Sequence, residues 1–333
     1  MSSALLRARL APLPGPDSAA IDAVHERAAN LLRPSGALAW LDEIADWVAG
    51  WQRTATPAVD RPAALIFAGD HGVAAATKVS AYPTGITQAL FDAYREGRST
   101  IAAFAKIAGA GVSAIDVGIG RPTGDIRYEP ALSDGRFDEI VGIAFDAVDA
   151  LDCDLLVLGE IGIGNTTPSA AIAASLAGGE TAAWVGRGTG VDDEGLARKR
   201  SAVQESVRRI AGITDPIEIL REVGGSELVA VAAATVAARH RSIPVVLDGY
   251  VVTSAVLPLV MVNPAALDHC TVGHCSTEPG HRKLLERLGK RPLLDLDMRL
   301  GEGSGAMAAV PLIAMACAGV TSVPTYDEWF GPA

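Results

Sequence analysis

Short apolar runs alternate with stretches of helical apolar spacing along most of the chain. The runs that predict β-strands lie at 64–68, 113–117, 155–158, 182–185, 244–247, 270–273 and 293–296. Helical spacing predicts helices between them, at 87–108, 166–177, 192–211, 227–241, 253–261 and 278–288. Apolar strands separated by helices are typical of a parallel sheet that is covered on both faces. The sequence therefore predicts an α/β fold.

The two ends of the chain follow a helical pattern. Residues 18–55 show helical spacing with one break at Pro34-Ser-Gly36, and a polar connector with prolines follows at 54–62. After residue 301 the chain is rich in alanine and methionine and again has helical character. The connector is a candidate domain boundary.

Composition and charge exclude several classes of protein. Hydrophobic residues make up 49% and charged residues 20% of the 333 residues, as in a globular chain. The formal net charge of −11 argues against nucleic acid as a partner, because no basic stripe is available to neutralise phosphates. Four cysteines are too few for a disulfide scaffold, so we expect a reducing, cytoplasmic location. We also expect no signal peptide at the amino terminus. The apolar stretch at 243–262 carries Asp248 and two prolines, so we do not expect it to span a membrane. The uncharged stretch at 306–324 contains prolines and is mostly small residues, and we expect it to be a buried helix.

Glycines and polar residues follow most of the predicted strands. The turns read Gly69-Asp-His-Gly72, Gly118-Ile-Gly-Arg121, Gly159-Glu-Ile-Gly-Ile-Gly-Asn-Thr-Thr167, Gly186-Arg-Gly-Thr-Gly190 and Asp248-Gly-Tyr250. The carboxyl ends of parallel strands meet at one edge of a sheet, which is where such folds bind ligands. Several such turns together predict a binding site at that edge.

Two of these turns have the composition of anion sites. The segment 162–167 lies between a strand and a helix, so its N–H groups and hydroxyls suit a phosphate, although a tight turn capped by a threonine is an equal alternative. It is neither a dinucleotide fingerprint, because Thr167 stands where the third glycine is needed, nor a P-loop. In the second turn Arg187 lies among glycines, with Lys199 on the next helix, and predicts an anion clamp.

Glu302 is the candidate catalytic base. It lies between glycines in Gly301-Glu-Gly-Ser-Gly305, directly after a predicted strand. The alternative is a glutamate in the first turn of a helix, which the helix dipole favours. Asp70-His71 is a second candidate acid–base pair, although such a pair is more often a structural hydrogen bond.

One cluster resembles a metal site: His269-Cys-Thr-Val-Gly-His-Cys275, with His281 nearby. Neighbouring residues on a strand point in opposite directions, so these side chains do not converge on one ion. The pattern favours a buried strand and turn, and we expect no metal.

Taken together, the motifs resemble those of the nicotinate-nucleotide–dimethylbenzimidazole phosphoribosyltransferases of cobalamin biosynthesis. The matching blocks, in the same order over residues 60 to 320, are Ala68-Gly-Asp-His-Gly-Val73, Gly159 to Thr167, Gly186 to Gly190, Leu196-Ala-Arg-Lys199, Gly224-Gly225, Val246-Leu-Asp-Gly249, Glu278-Pro-Gly-His281 and Arg299-Leu-Gly-Glu-Gly-Ser-Gly305.

The resemblance implies a fold, a reaction and a set of site residues. It implies a Rossmann-like large domain at 56–300, a small helical domain formed by 1–55 and 301–333, and a homodimer. The implied reaction transfers phosphoribose from nicotinate mononucleotide to dimethylbenzimidazole, without a metal or bound cofactor. Glu302 matches the catalytic base, with Glu160 as the next candidate. The substrate-binding residues predicted by the motifs and the resemblance are Asp70, Ser80, Gln88, Gly162, Gly164, Asn165, Thr166, Thr167, Gly186, Arg187, Gly188, Lys199 and Asp248.

Two competing functions make different demands on the sequence. A nicotinamide-dependent oxidoreductase needs a true Gly-x-Gly-x-x-Gly, which is missing. A phosphate- or nucleotide-binding regulatory protein would keep the glycine loops but would have no use for Glu302.

The segments 74–80 and 98–100 depart from the family pattern near the base-binding region, so the identity of the preferred base stays open.

Overall fold

The computed structural model describes residues 4–331 and contains one sheet of six parallel strands. The strands are β1 (Pro62–Gly69), β2 (Gly111–Gly118), β3 (Leu155–Ile161), β4 (Val245–Leu247), β5 (Cys270–His274) and β6 (Pro292–Leu294). Their spatial order is β2-β1-β3-β4-β5-β6. This is the doubly wound order 2-1-3-4-5 with one strand added, and it places a topological switch point between β1 and β3. The predicted parallel α/β sheet is confirmed.

Fifteen α-helices accompany the sheet within the described residues. They are α1 (Ala4–Leu10), α2 (Ser18–Asn30), α3 (Trp40–Gln52), α4 (Gly72–Thr77), α5 (Ile86–Arg95), α6 (Thr100–Ala108), α7 (Asp134–Asp149), α8 (Thr166–Ala177), α9 (Asp193–Arg209), α10 (Pro216–Val223), α11 (Ser226–His240), α12 (Tyr250–Val262), α13 (Pro279–Leu288), α14 (Ser304–Thr321) and α15 (Tyr326–Phe330).

Two sequence predictions of local structure were wrong. The apolar run 182–185 is not a strand, because most of it belongs to a short 3₁₀ helix, Thr181–Trp184. Alanines have low strand preference, and the Trp184 indole turns back to donate a hydrogen bond to the Gly178 carbonyl at 2.9 Å. The predicted helix 87–108 is two helices, since Gly97 takes a φ of +68° and the Ser99 hydroxyl caps a new helix.

Alternate residues of the central strands pack against two different layers of helices. From β1, Leu65 and Phe67 join the core formed with α7, α8, α11 and α12. Ile66 and Ala68 point the other way and join the core formed with α3, α5, α6 and α14. This alternation follows from the period of two along a strand, and it buries both faces of the sheet, as predicted.

Helix α14 is the element of the chain that most resembles a membrane span. Among the described residues it alone reaches the length and apolarity of a span, and 56% of it is buried. Its buried residues, which include Met307, Val310 and Ile313, pack against β1 and β3. The observed packing therefore accounts for the apolar character of the helix.

The helical segments from the two chain ends meet. The Arg27 guanidinium of α2 donates to the Val320 carbonyl at 3.0 Å and pairs with Glu328 at 2.9 Å. A β-bridge joins Leu31 to Thr325. The division into domains 56–300 and 1–55 plus 301–333 stays a prediction, and residues 1–3 and 332–333 lie outside the described residues.

Candidate active site

A cavity of about 710 Å³ opens at the carboxyl edge of the sheet. The segments that line it follow β3, β4 and β5, and they are joined by the loop before α5, the 188–189 turn and the segment before α14. Three of the five turns that the sequence predicts to converge, at 159–167, 186–190 and 248–250, therefore do so, whereas the turns at 69–72 and 118–121 lie outside the lining. Nine of the predicted site residues line the cavity: Ser80, Glu160, Gly162, Gly164, Asn165, Thr166, Gly188, Asp248 and Glu302.

Glu302 lies on a strained turn that the sheet holds in place. Three successive residues take left-handed backbone angles, with φ of +81° at Gly301, +66° at Glu302 and +79° at Gly303. Such an angle costs about 1–3 kcal/mol at a residue other than glycine. The turn lies directly on β3, since a methyl group on Gly159 would come within 2.6 Å of the Gly303 nitrogen.

Asp248 anchors this turn from the end of β4. One carboxylate oxygen accepts the Gly303 N–H at 3.1 Å, and the other accepts the Ala306 N–H at 2.9 Å. The buried Asp248 carboxylate thus caps the amino end of α14, where backbone N–H groups lack partners inside the helix. The strained position of Glu302 is therefore fixed by a strand on one side and by a helix cap on the other.

The environment of Glu302 makes its carboxylate a stronger proton acceptor than an exposed one. Burial raises the pKa of Glu302, and the negative charge of Asp248 adds to the rise, while the nearby Tyr94 hydroxyl opposes it. Burial, followed by the charge of Glu302, raises the pKa of Tyr94, so the phenol stays protonated. A carboxylate whose pKa is raised toward the working pH is a more effective base.

Glu160, at the end of β3, lies on the same side of the cavity. Burial raises its pKa well above the ordinary value, and the charges of Glu227 and Asp248 raise it further. The Asn165 side-chain amide donates a hydrogen bond to its carboxyl group and opposes this rise. Three carboxyl groups, those of Glu160, Asp248 and Glu302, therefore line one cavity.

A cationic corner lies at the amino end of α8. The buried Lys199 ammonium donates a hydrogen bond to the Thr166 hydroxyl at 2.7 Å. Burial lowers the pKa of Lys199 to about 8, against an opposing attraction from Glu278. A methyl group on Gly188 would lie 2.8 Å from the Lys199 nitrogen and 2.9 Å from the Thr166 oxygen, so the glycine leaves this corner open. A helix amino end beside a lysine is suited to a phosphate group.

Side chains from three other segments hold the turn around Gly188. Glu278 accepts the Gly188 N–H at 2.9 Å, and Arg299 donates to the Gly188 carbonyl at 3.1 Å. The Thr189 hydroxyl lies 3.1 Å from the Ser80 hydroxyl, which ties the loop before α5 to the same turn. The lining also includes the apolar residues Val79, Ile86, Leu90 and Leu300.

Six predicted site residues lie outside the cavity lining, and four of them have partners or packing contacts elsewhere. The Asp70 carboxylate accepts the Gly120 N–H at 2.8 Å, whereas His71 turns away to Glu227, so Asp70-His71 is not an acid–base pair. Gln88 is exposed and donates to Asp92 at 3.0 Å.

Arg187 is the third residue outside the lining. It forms an ion pair with Asp193 at 2.5 Å and donates to the Val191 carbonyl, because the acidic start of α9 competes for its charge. Gly186, the fourth, is packed against Glu278.

The remaining predicted residues lie behind the cavity wall. Lys199 reaches the cavity corner through Thr166, and Thr167 is fully buried in the first turn of α8. Sequence reasoning did not single out Tyr94, His274, Glu278 and Arg299 for the site. Of these, Glu278 lies at the end of the turn between a predicted strand and a predicted helix, which is the signal that could have identified it.

The histidines and cysteines of the metal-like cluster have separate contacts. His269 contacts the Thr235 carbonyl at 2.9 Å, and the Ser276 N–H donates to His281 at 2.7 Å. Within residues 4–331 no group of three or more His, Cys, Asp or Glu side chains is arranged to hold a metal ion. The absence of a metal requirement stays a prediction.

Comparison with known proteins identifies relatives along nearly the whole chain. A family model described as phosphoribosyltransferase matches residues 13–329. A relative from Mesorhizobium japonicum, named nicotinate-nucleotide–dimethylbenzimidazole phosphoribosyltransferase, is 46% identical over 312 residues, which cover 93% of this chain and 92% of the relative. A relative of the same name from Allorhizobium ampelinum is 44% identical and covers 97% of this chain and 94% of its own length.

Solved structures agree with this result. The crystal structure of CobT from Thermus thermophilus superimposes with a TM-score of 0.89 at 37% identity, over 94% of this chain and 99% of that chain. A second structure from the same organism, described as the same phosphoribosyltransferase, has a TM-score of 0.87 at 36% identity, over 95% of this chain and 99% of its own. The chain therefore belongs to the family of nicotinate-nucleotide–dimethylbenzimidazole phosphoribosyltransferases.

Proposed function

We propose that the protein transfers phosphoribose from nicotinate mononucleotide to dimethylbenzimidazole or a related base in cobalamin biosynthesis. The products are α-ribazole phosphate and nicotinate. The observation that carries this proposal is the position of Glu302, on a strained turn that faces a cavity with a cationic corner and an apolar wall. This arrangement offers one place for a phosphate, one for a flat apolar ring and a carboxylate in the same cavity that can act as the catalytic base.

The cationic corner is our proposed site for the phosphate of the mononucleotide. The amino end of α8, the Thr166 hydroxyl and the Lys199 ammonium supply donors and positive charge there. This local charge is needed because the protein as a whole carries a net charge of −11, which repels an anionic substrate. The apolar residues Ile86, Leu90 and Leu300 suit the ring of the accepting base.

Glu302 acts as the general base in this proposal. Its carboxylate takes the proton from one ring nitrogen of the benzimidazole, and the other ring nitrogen attacks C1′ of the ribose. The bond from C1′ to the nicotinate nitrogen breaks, and its electron pair leaves with nicotinate. Attack from the opposite face inverts C1′ and gives the α-riboside. The protein contributes by positioning the two rings across one ribose and by accepting the proton.

Oligomeric state and location are further parts of the proposal. We propose a homodimer, supported by the family resemblance and by the exposed aromatic residues Trp329 and Phe330 of α15. Sedimentation equilibrium at micromolar protein tests it, and a monomer mass would contradict it. We propose a cytoplasmic location on the basis of the four free cysteines, and cell fractionation tests it.

The direct test of the function is an assay of nicotinate release. Purified protein is incubated with nicotinate mononucleotide and a panel of benzimidazoles, and nicotinate and the α-riboside are quantified by chromatography. We expect equal amounts of both products and no release of nicotinate without a base. Binding of the mononucleotide without turnover with any base would contradict the enzyme and favour the regulatory alternative.

A further inference from the structure

The His71–Glu227 pair is a buried feature that the proposed mechanism does not use. His71 follows β1, and Glu227 lies in the first turn of α11. The His71 Nε2 and a Glu227 carboxylate oxygen are 2.5 Å apart, and both side chains are fully buried. Within residues 4–331 the other His71 nitrogen and the other Glu227 oxygen have no hydrogen-bond partner. Burying such groups costs free energy unless all their hydrogen bonds are made, so stability alone does not explain the pair.

The pair lies directly behind the loop that leads from β3 to α8. A methyl group on Gly162 would lie 2.5 Å from the bonded Glu227 oxygen and 2.8 Å from His71 Nε2. On the other side, a methyl group on Gly225 would lie 2.3 Å from the His71 ring. The backbone at Gly162 therefore rests on the hydrogen bond itself. A shift of the pair moves the loop that lines the cavity.

The pair also acts on the cavity through charge. The charged or titratable groups around Glu160 are Glu227 from α11, Asp248 after β4, Glu302 before α14 and Tyr94 from α5. After burial, the charge of Glu227 is the largest contribution that raises the pKa of Glu160. A neutral Glu160 reduces the negative charge that faces an anionic nucleotide.

We propose that the His71–Glu227 pair is a positioning element of the transfer reaction, which holds the Gly162–Thr166 loop in place behind the cavity. The proposal rests on the proposed function, because it concerns the same cavity and the same nucleotide. His71 and Glu227 do not line the cavity, so their effect on the reaction passes through Gly162 and Glu160.

The test compares steady-state kinetics of wild type and Glu227→Gln from pH 6 to 10. The amide keeps the size and one hydrogen bond of Glu227 but removes its charge. Removing the charge of Glu227 lowers the pKa of Glu160, because that charge raises it in the wild type. We expect kcat/KM for nicotinate mononucleotide to fall at high pH in both proteins. In Glu227→Gln this fall should begin at a lower pH than in the wild type. A loop displaced by a fraction of an ångström also raises the KM for the mononucleotide, by about ten- to a hundredfold. The KM for the base stays close to the wild-type value.

Two further variants separate positioning from stability. His71→Gln keeps a hydrogen-bond donor toward Glu227, so it restores part of the mononucleotide affinity that His71→Ala loses. His269→Asn is the control. His269 directly precedes β5, at the end of that strand away from the cavity, and it is fully buried and bonded to the Thr235 carbonyl. We expect it to lower the melting temperature without changing the KM or the pH profile.

The kinetic results of these variants decide between a positioning role and a purely structural one. A wild-type pH profile and a wild-type KM for the mononucleotide in both Glu227→Gln and His71→Ala overturn the positioning role, whatever their melting temperatures. If Glu227→Gln does not fold, the comparison of His71→Ala with His71→Gln decides. A wild-type protein without transfer activity contradicts the proposed function instead.

Discussion

Replacing Lys199 by methionine should have opposite effects on function and on stability. The Lys199 ammonium is buried and bonded to the Thr166 hydroxyl at the proposed phosphate site. Methionine is similar in length and has no charge to desolvate. We therefore expect Lys199→Met to bind nicotinate mononucleotide more weakly and to resist unfolding better than wild type.

The size of both effects follows from the contacts of Lys199. A hydrogen bond to a charged group contributes about 1.5–3 kcal/mol, so the affinity for the mononucleotide should fall about 10- to 150-fold. The pKa of Lys199 falls on folding from 10.5 to about 8, because burial disfavours the charged form. That difference corresponds to a destabilisation of about 3 kcal/mol at pH 7. Loss of the bond from the charged ammonium to Thr166 offsets about 1.5–3 kcal/mol of this, which leaves a net stabilisation of at most about 1.5 kcal/mol.

The pH dependence has a definite sign. Below pH 8 Lys199 is charged in both the folded and the unfolded chain, so the folded state carries the full penalty. The penalty shrinks as the pH rises from about 8 toward 10.5, where both states become neutral. The difference in stability between Lys199→Met and wild type should therefore be largest near neutral pH and should decrease above pH 8. Affinity of the wild type for the mononucleotide should weaken over the same interval.

Calorimetric titration with nicotinate mononucleotide and urea unfolding between pH 7 and 10 measure both quantities. Arg187→Met is the matched control, because Arg187 is about half exposed, is paired with Asp193 and lies outside the cavity lining. Its loss should change affinity by less than about fivefold. Unchanged affinity in Lys199→Met, or a larger loss in Arg187→Met, would refute the placement of the phosphate.

Three further predictions concern the Glu302 turn and the absence of a metal. Gly159→Ala should lower kcat about a hundredfold with little change in mononucleotide affinity, because the new methyl group displaces the Gly303 nitrogen; normal kcat would contradict the close packing. Asp248→Asn should lower the free energy of unfolding by about 1–2 kcal/mol, since the amide caps α14 less well, and urea unfolding measures it. Protein dialysed against a chelator should keep its activity, whereas stoichiometric zinc by elemental analysis and loss of activity on chelation would overturn this expectation.

The sheet was largely predictable because its signals are local. Strands β1 and β4 contain no polar side chain and β3 contains only Glu160 near its end, and the turns after parallel strands lie at the carboxyl edge. The run at 182–185 shows the limit of such local signals. A short apolar run has the same pattern in a strand as in the short helix that forms here. Helix α7 was also missed, although Ser133 caps it and its apolar residues follow a helical period.

Individual side-chain roles were less predictable because they depend on partners that are distant in sequence. The sequence suggests Arg187 as an anion ligand, but in the structure it forms an ion pair with Asp193. The sequence also suggests Asp70 as the partner of His71, but His71 bonds instead to Glu227, which is 156 residues away. Glu302 was identified because its glycine neighbours are adjacent in sequence. The capping of its turn by Asp248 depends on the fold and has no local signal.

The central claim is that Glu302 accepts the proton from the attacking base, and its most direct test is the turnover of Glu302→Gln. The amide keeps the shape and the contact region of the carboxylate but accepts no proton. A positioned general base contributes about a hundred- to ten-thousandfold, so kcat for nicotinate release should fall by that factor. Affinity for nicotinate mononucleotide should change little, because the phosphate site is separate. A Glu302→Gln variant with near-normal kcat would contradict the account, and Glu160 would become the candidate base.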